Sequence, residues 1–522
     1  MIKTKIMKGH TFLGIELGST RIKACLIDDS YMPVANGSYE WENKLENGYW
    51  TYSIDEIHNG VKACYASLRK DVLEKYNVNL TKISAIGISG MMHGYLAFDS
   101  EDNLLVPFRT WRNTTTEKAA TELTDLFNFN IPQRWSIAHL YQAILNREEH
   151  LPKIAHITTL SGYIHYLLTG KWEIGVCEAS GIFPVFGDDY NADMLEKFEN
   201  LISKYNFPWK LRDILPQVKV CGESSAQLTQ AGANFLDISG NLSDGIPICP
   251  PEGDAGTGMV ATNSVKPKTG NISAGTSVFS MLVLEKPING MYKEIDVVTT
   301  PDAFPVAMIH SNNGCSELDA WVKMFGEFAL MIGVDIDKSE LYKALYENAL
   351  LGDADCGGVM SYNFLASEPV AGITNGTPMY FHTPQSKMTL ANFFRSQLYA
   401  TVAVLKIGMD ILVKNENVSA DNFNAHGGLF KVKGVAQQLL ANVLNTAISV
   451  SETAGEGGAW GMALLAAYMM EKGKQPLGDW LDANVFKLVE KEVSLPDCQA
   501  VDGFNKYFEL YKSGLCANNK IL

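Results

Sequence analysis

Pro251-Glu-Gly-Asp-Ala-Gly-Thr-Gly-Met-Val260, followed after a short polar link by Gly270-Asn-Ile-Ser-Ala-Gly-Thr-Ser277, is the stretch that decides the fold. Asp254 is read as lying on a glycine-rich turn, where Gly253, Gly256 and Gly258 have no Cβ to obstruct close backbone approach. The second turn, Ala274-Gly275-Thr276-Ser277, offers backbone N–H groups and two hydroxyls. An acid on one turn and donors on another are what phosphoryl transfer to an alcohol requires. The acid accepts the alcohol's proton, and the donors hold a phosphate whose charge is spread over its oxygens. Either turn alone reads as ordinary turn chemistry. The flanks decide between the two readings.

Working outward, Thr276-Ser-Val-Phe-Ser-Met-Leu-Val-Leu284 is an apolar strand leaving the Gly-Thr-Ser turn. The N-terminus has the same form: a strand at Thr11–Ile15, the turn Glu16-Leu-Gly-Ser-Thr20, and a returning strand at Ile22–Ile27. Two related halves, each presenting one phosphate-facing hairpin to a shared cleft, account for the pair. A carboxylate at a strand end followed by Gly18, Ser19 and Thr20 suits Mg²⁺ held by Glu16, directly or through water, with the turn facing phosphate oxygens.

Between the hairpins, Ser53-Ile-Asp-Glu56 is a capping box ahead of Ile57, Val61, Cys64, Leu68 and Val72 at helical spacing. Ile83–Ile88 is a strand running into Ser89-Gly-Met-Met-His-Gly94, which puts Met92 and His93 at a strand end, where α/β folds place ligand contacts. Trp111 would lie against the apolar face of a sugar, with Asn113 bonding its hydroxyls. A helix is expected from Thr158 to Gly170, and a mixture of helices and loops from Ala179 to Asn241. Further helices are expected at Glu317–Met331 and Thr389–Val413. Phe423-Asn-Ala-His-Gly-Gly-Leu-Phe-Lys431 reads as a strand running into Gly427-Gly428 and a helix, a place for a planar group such as adenine. Glu456-Gly-Gly-Ala-Trp-Gly-Met-Ala463 opens a helix whose small residues permit tight packing. The expected domains are 1–262, 263–471 and a helical appendage 472–522.

Composition narrows the class. At 522 residues, 46% hydrophobic and 19% charged, the chain is globular and too long for one ordinary core. A net charge of −15 without a basic run argues against nucleic acid or an acidic membrane as partner. Nine cysteines without a Cys-x-x-Cys pair suit a reducing cytosol and give no zinc pattern. No signal-like apolar core and no apolar run of about 18 residues is apparent, so the expectation is a cytoplasmic protein without a membrane span. Three motifs fail on inspection. Gly256-Thr-Gly258-Met-Val-Ala261 lacks the strand and the distant acid of a dinucleotide site. Gly270–Ser277 has Thr276 where a P-loop needs lysine, and Gly87–Met91 ends in Met where a nucleophile elbow needs Gly.

In order, these segments resemble the FGGY family of carbohydrate kinases over about Phe12 to Tyr468. The hairpin Gly14-Ile-Glu-Leu-Gly-Ser-Thr-Arg-Ile-Lys23 is similar to the family's first phosphate hairpin, and Ser89–Gly94 to the sugar loop of xylulokinases. Glu252-Gly-Asp-Ala-Gly256 is similar to the catalytic-base motif, Ser273–Ser277 to the second phosphate turn, and Gly427-Gly428 with Glu456–Ala463 to the adenosine segment. The resemblance implies an α/β protein with two actin-like (ribonuclease-H-like) domains around a central cleft. It implies ATP and Mg²⁺ as cofactors, Asp254 as general base, and Met92, His93, Trp111, Asn113 and Asp254 on the sugar. Gly18, Ser19, Thr20, Lys23, Gly275, Thr276, Ser277, Gly427, Gly428 and Lys431 would bind the nucleotide, with Glu16 on the metal. Expected partners are a small-molecule sugar and a second copy in a homodimer.

Departures from the pattern bear on the sugar. The family usually has Asp at Glu16, and xylulokinases usually have Gln at Met91 and Asp at Asn113. The glycine-rich signature between Tyr362 and His382 is degenerate, and the spacing Gly427, Gln438, Asn445 is similar to ribulokinases. The expected activity is phosphorylation of a ketopentose such as D-xylulose. Alternatives are a kinase for L-ribulose or another polyol, a non-catalytic actin-like sugar or nucleotide binder, and a nicotinamide-dependent oxidoreductase.

Overall fold

The computed structural model describes residues 2–224, 226–451 and 457–518. By its internal packing the chain divides into two units. The first is Met1–Val265 with Val297–Pro305 and Glu456–Leu488, and the second is Lys266–Asp296, Val306–Gly455 and Val489–Leu522. The consecutive division expected at 262/263 and 471/472 is therefore not the one the packing makes. The chain returns to the first unit twice.

The first unit is built on the strand Phe12–Leu17. This strand pairs antiparallel with Arg21–Ile27, which pairs antiparallel with Pro33–Glu40. On its other side it runs parallel to Ala85–Gly90, and Pro247–Ile248 and Glu252–Gly253 run parallel to that strand in turn. The second unit repeats the plan. Thr269–Ala274 is antiparallel to Val278–Val283, which is antiparallel to Pro305–Ser311. Its other neighbour, Asn422–His426, is parallel to it, and Ala447–Ser451 is parallel to Asn422–His426. The strands named in each unit thus follow one order, two antiparallel strands on one side of the first strand and parallel strands on the other; the second sheet adds Asp296–Thr299 outside Pro305–Ser311 and Lys491–Ser494 outside Ala447–Ser451. The repeat inferred from two short hairpins extends to the topology of both sheets.

Side-chain burial explains these elements. Leu13, Ile15, Leu17, Ile86 and Ile88 are fully buried, as strands covered on both faces must be. The helix Ile54–Tyr76 starts where Ser53 accepts the Glu56 N–H at 3.2 Å, and it buries Ile57, Val61, Cys64, Leu68 and Val72 completely. It lies on Pro33–Glu40, whose Gly37 admits it: a Cβ there would stand 2.5 Å from the Cys64 carbonyl oxygen. The helix Leu160–Thr169 ends at Gly170 with φ +70°, as expected. The polar stretch beyond it contains short helices, Ala192–Ile202, Leu211–Ile214 and Gln230–Leu236.

The helix Gly457–Glu471, buried from Gly458 to Met469, packs on the strand Phe12–Leu17 and the helix Asp254–Ala261. Glycines make the contact possible. A Cβ on Gly14 would stand 2.1 Å from the Ala459 oxygen, and one on Gly461 2.0 Å from the Thr257 oxygen. Glu456, the first residue of the expected segment, lies outside the described residues. The expected appendage is also divided. Leu477–Asn484 belongs to the first unit, and Lys491–Ser494 with the helix Cys498–Asn518 to the second.

In the second unit the helix Leu390–Glu416 begins at Thr389, whose hydroxyl accepts the Asn392 N–H at 3.1 Å. Contrary to the sequence expectation, this helix is long and apolar enough to cross a membrane by length and composition. Its most apolar window is 72% buried inside the protein, as a core helix is.

Candidate active site

In the first unit, register brings the acids together. Glu16 lies beside Ser89, and Ser89 beside Glu252, at the carboxyl ends of three parallel strands. Ligands of α/β sheets bind at such ends, where the chain turns away into loops and helices. Asp254 is not on a free turn, as expected, but is the first residue of the helix Asp254–Ala261. That helix is tied to the sheet by the Ser89 and Thr257 hydroxyls, 3.0 Å apart.

Four acids in this region have different electrostatics. Burial lifts Asp254 to about 6, while the N–H groups of Met92 (3.2 Å from Oδ1) and Ala255 stabilise its carboxylate. Glu16 is lifted to about 7, first by burial and then by the charge of Asp254. Lys23, its partner across the hairpin, and the Ala459 N–H pull it back. Burial pushes Glu252 up to about 8, so it is protonated at pH 7, and burial also holds Glu178 well above the ordinary carboxylate range. Asp254, at about 6, stands below Glu16 at about 7 and Glu252 at about 8.

The residues that the resemblance assigns to the sugar divide. His93 is buried with φ +70°, a left-handed conformation that a large side chain adopts only when its surroundings enforce it. Its Nδ1 is 3.2 Å from the Gly181 oxygen, so Nδ1 carries the proton and donates it. Burial keeps the ring neutral, which leaves Nε2 as an acceptor. Met92 is buried, its side chain close to the Cα of Gly253. Asn113 is committed elsewhere. Its Oδ1 accepts the Trp50 N–H at 2.8 Å, and its Nδ2 donates to the Trp50 and Thr110 oxygens at 2.9 Å each. Those bonds use the polar atoms that the sequence reading assigned to sugar hydroxyls. Trp111 is 39% exposed, and its indole N–H donates to Ser19 Oγ at 3.2 Å, which ties the segment around Trp111 to the turn Gly18-Ser19-Thr20.

That turn is oriented through its carbonyls. Trp41 Nε1 donates to the Gly18 oxygen at 2.7 Å, and the Tyr52 hydroxyl donates to the Ser19 oxygen. In a trans peptide the C=O and the following N–H point in opposite directions. The N–H groups of Ser19 and Thr20 therefore face away from the stacked Trp41 and Tyr52 rings. Sequence reasoning missed these two anchors, because nothing local marks an aromatic residue as holding a turn over 20 positions away. It also missed the Ala459 N–H. The run Gly-Gly-Ala at a helix start was the available signal, since helix N-termini attract anions.

In the second unit the turn Gly275-Thr276-Ser277 joins Thr269–Ala274 to Val278–Val283. The Gly314 N–H donates to the Thr276 oxygen and the Cys315 N–H to the Gly275 oxygen, both at 2.8 Å. By the same peptide geometry the Thr276 and Ser277 N–H groups point the other way. Thr276 is exposed and Ser277 half-buried. Gly427 (φ +108°) and exposed Gly428 follow the neighbouring strand, and a Cβ on Gly427 would stand 2.3 Å from the Ala274 oxygen. The expected helix after this pair is a 3₁₀ turn, Gly428–Lys431, with Lys431 exposed. The next α-helix begins only at Val435. Gly18, Ser19, Thr20 and Lys23 thus sit on one unit, and Gly275, Thr276, Ser277, Gly427, Gly428 and Lys431 on the other.

Known proteins place this arrangement. The family model for the N-terminal domain of FGGY carbohydrate kinases matches residues 11–258, and that for the C-terminal domain matches residues 270–470. Xylulose kinase of Haemophilus influenzae is 21% identical, over 97% of this chain and 99% of that protein. The solved xylulose kinase and gluconate kinase of Lactobacillus acidophilus each superpose with a TM-score of 0.78 at 16% identity, covering 98% of this chain. With two sheets of one topology, this is the actin-like (ribonuclease-H-like) α/β fold in two copies. The chain belongs to the FGGY family of carbohydrate kinases.

Proposed function

We propose that the chain transfers the γ-phosphoryl group of ATP to a hydroxyl of an open-chain ketopentose such as D-xylulose, with Asp254 as general base. The observation that carries this reading is the placement of Asp254, first residue of the helix Asp254–Ala261, directly after the strand Glu252–Gly253 that runs parallel to Ala85–Gly90. Asp254, at about 6, is ionised at neutral pH, and its Oδ1 accepts the Met92 N–H at 3.2 Å. An ionised carboxylate fixed by backbone donors accepts the proton as the acceptor hydroxyl attacks. His93 Nε2 would accept from a second sugar hydroxyl, and Met92 would bound the pocket beside it. The N–H groups of Ser19 and Thr20, and those of Thr276 and Ser277, would hold phosphate oxygens.

A divalent cation fits beside Glu16, because the charge of Asp254 raises the cost of ionising half-buried Glu16 and a cation would offset it. Mg²⁺ held by Glu16 and the phosphates would supply charge neutralisation during transfer. Gly427 and Gly428 would lie against the adenine, with Lys431 nearby. A second reading, an aldonate substrate, is favoured by the positive charge of Arg134, which acts on His93, and by the structural likeness to a gluconate kinase.

The test is ADP formation by the purified protein with Mg-ATP across ketopentoses, polyols and aldonates, with Asp254→Ala as paired control. Stimulation by one acceptor, lost in the variant, supports the reading and names the substrate. Absence of both ATP turnover and nucleotide binding overturns it.

A further inference from the structure

We propose that Glu368 is the positioning residue of the phosphate turn Gly275-Thr276-Ser277, acting through Asn313 and Gly314; the inference rests on the nucleotide-binding reading of that turn. Glu368 is fully buried, and its backbone is fixed by paired hydrogen bonds with Ile373, at 2.8 and 3.0 Å. Its Oε2 accepts from Ser311 Oγ at 2.8 Å, from Asn313 Nδ2 at 3.0 Å and from the Asn313 N–H at 3.3 Å. Asn313 is then held at its remaining polar atoms. Its Oδ1 accepts the N–H groups of Leu365 and Ala366, both at 2.8 Å, and its carbonyl accepts Asn363 Nδ2 at 2.8 Å. Asn363 Nδ2 also donates to the Gly314 oxygen at 3.0 Å.

The outcome of this network is the direction of two peptide N–H groups. Gly314 and Cys315 donate to the Thr276 and Gly275 carbonyls, and those two bonds turn the Thr276 and Ser277 peptides around. Gly314 tolerates no other side chain, since a Cβ there would stand 2.3 Å from the Gly275 oxygen. The contact has no slack, so a displacement of residues 313–314 passes directly into the turn. For stability alone Glu368 is a poor choice. A buried carboxylate carries a desolvation penalty, and here one oxygen, Oε1, has no hydrogen-bond partner. A group that burdens the fold yet orders the segment behind a ligand-facing turn is one that positions.

The experiment is a calorimetric ATP titration of wild type, Glu368→Gln and Glu368→Ala, with melting curves and the separate KM values for ATP and sugar. Gln keeps an acceptor for Ser311 and Asn313 and is expected to bind ATP within about threefold of wild type. Ala is expected to weaken ATP binding by roughly 10–100-fold, the range seen when a supporting group behind a ligand is removed, with the sugar KM unchanged. A purely structural role would lower the melting temperature and the active fraction, but not the ATP affinity of the folded molecules. If Glu368→Ala does not fold, Asn363→Ala, which releases the Asn313 and Gly314 oxygens, is expected to weaken ATP binding in the same direction. Wild-type ATP affinity in a folded Glu368→Ala or Asn363→Ala protein overturns the positioning role. Failure of wild type itself to bind ATP overturns the nucleotide reading, and the inference with it.

Discussion

Gly461→Ala tests how tightly the proposed base is held. Gly461 lies on the helix Gly457–Glu471 where it crosses the helix Asp254–Ala261, and an added Cβ would stand 2.0 Å from the Thr257 oxygen and 2.9 Å from the Thr257 carbonyl carbon. Both atoms are backbone, so no rotamer change relieves the contact. Ordinary contact begins at 3.4 Å, so the helices must part by about 1.4 Å in a close-packed interior. Overpacking of this kind typically destabilises by ~1–3 kcal/mol. At ~2–4 °C per kcal/mol for a unit of this size, the melting temperature should fall by roughly 2–12 °C. The displaced helix begins with Asp254, and a misplacement near 1 Å lowers turnover on the order of 10²-fold. Gly258→Ala is the matched control, on the same helix with no atom within 4 Å of the added Cβ. It should be neutral or stabilising by ~0.5–1 kcal/mol. Calorimetric melting and ADP release at saturating substrates measure both. If Gly461→Ala melts and turns over like Gly258→Ala, the packing argument is wrong.

Asp254→Asn should lower turnover by ~10²–10⁴-fold while raising the melting temperature. The sign follows from the raised value of about 6, which means that folding penalises the ionised form. The gain over wild type should be full above pH 6 and fade as pH falls toward 4; a destabilised variant at pH 8 would contradict the account. The acid limb of kcat/KM should lie between about 6 and 7, where Asp254 and Glu16 take up protons as a coupled pair, and a limb near 4 would exclude Asp254 as a buried base. His93→Asn, which tolerates the left-handed backbone, should raise the sugar KM by roughly 10–100-fold by removing an acceptor. The ATP KM should not move, and an effect on ATP alone would remove His93 from the sugar side.

Much of the site was legible because its parts are local. A strand, a small-residue turn and a returning strand are specified within about fifteen residues by alternation and turn chemistry. Both hairpins and the helix start at Ser53 appear where they were expected, while the strand expected to end at Ile88 runs on to Gly90. The position of Asp254 at a helix start was misread as a turn, because Gly253, Gly256 and Gly258 look like turn residues although the last two lie inside the helix Asp254–Ala261. The surroundings of Asn113 were not legible for a different reason. Two of its hydrogen bonds go to the backbone of Trp50, and only the assembled fold brings that strand beside it.

The sequence by itself determined the chemistry on offer: one acid after a strand, two Gly-Ser/Thr turns, a glycine pair, and the duplicated pattern that names the fold. Each is encoded by residues adjacent along the chain. Tertiary structure alone decided which unit the helix Gly457–Glu471 joins, how far burial raises Asp254, and which way the two hairpin turns face. Those outcomes depend on burial and on hydrogen bonds between segments distant along the chain. Desolvation and peptide direction are properties of the packed neighbourhood, and no local pattern of residues records them.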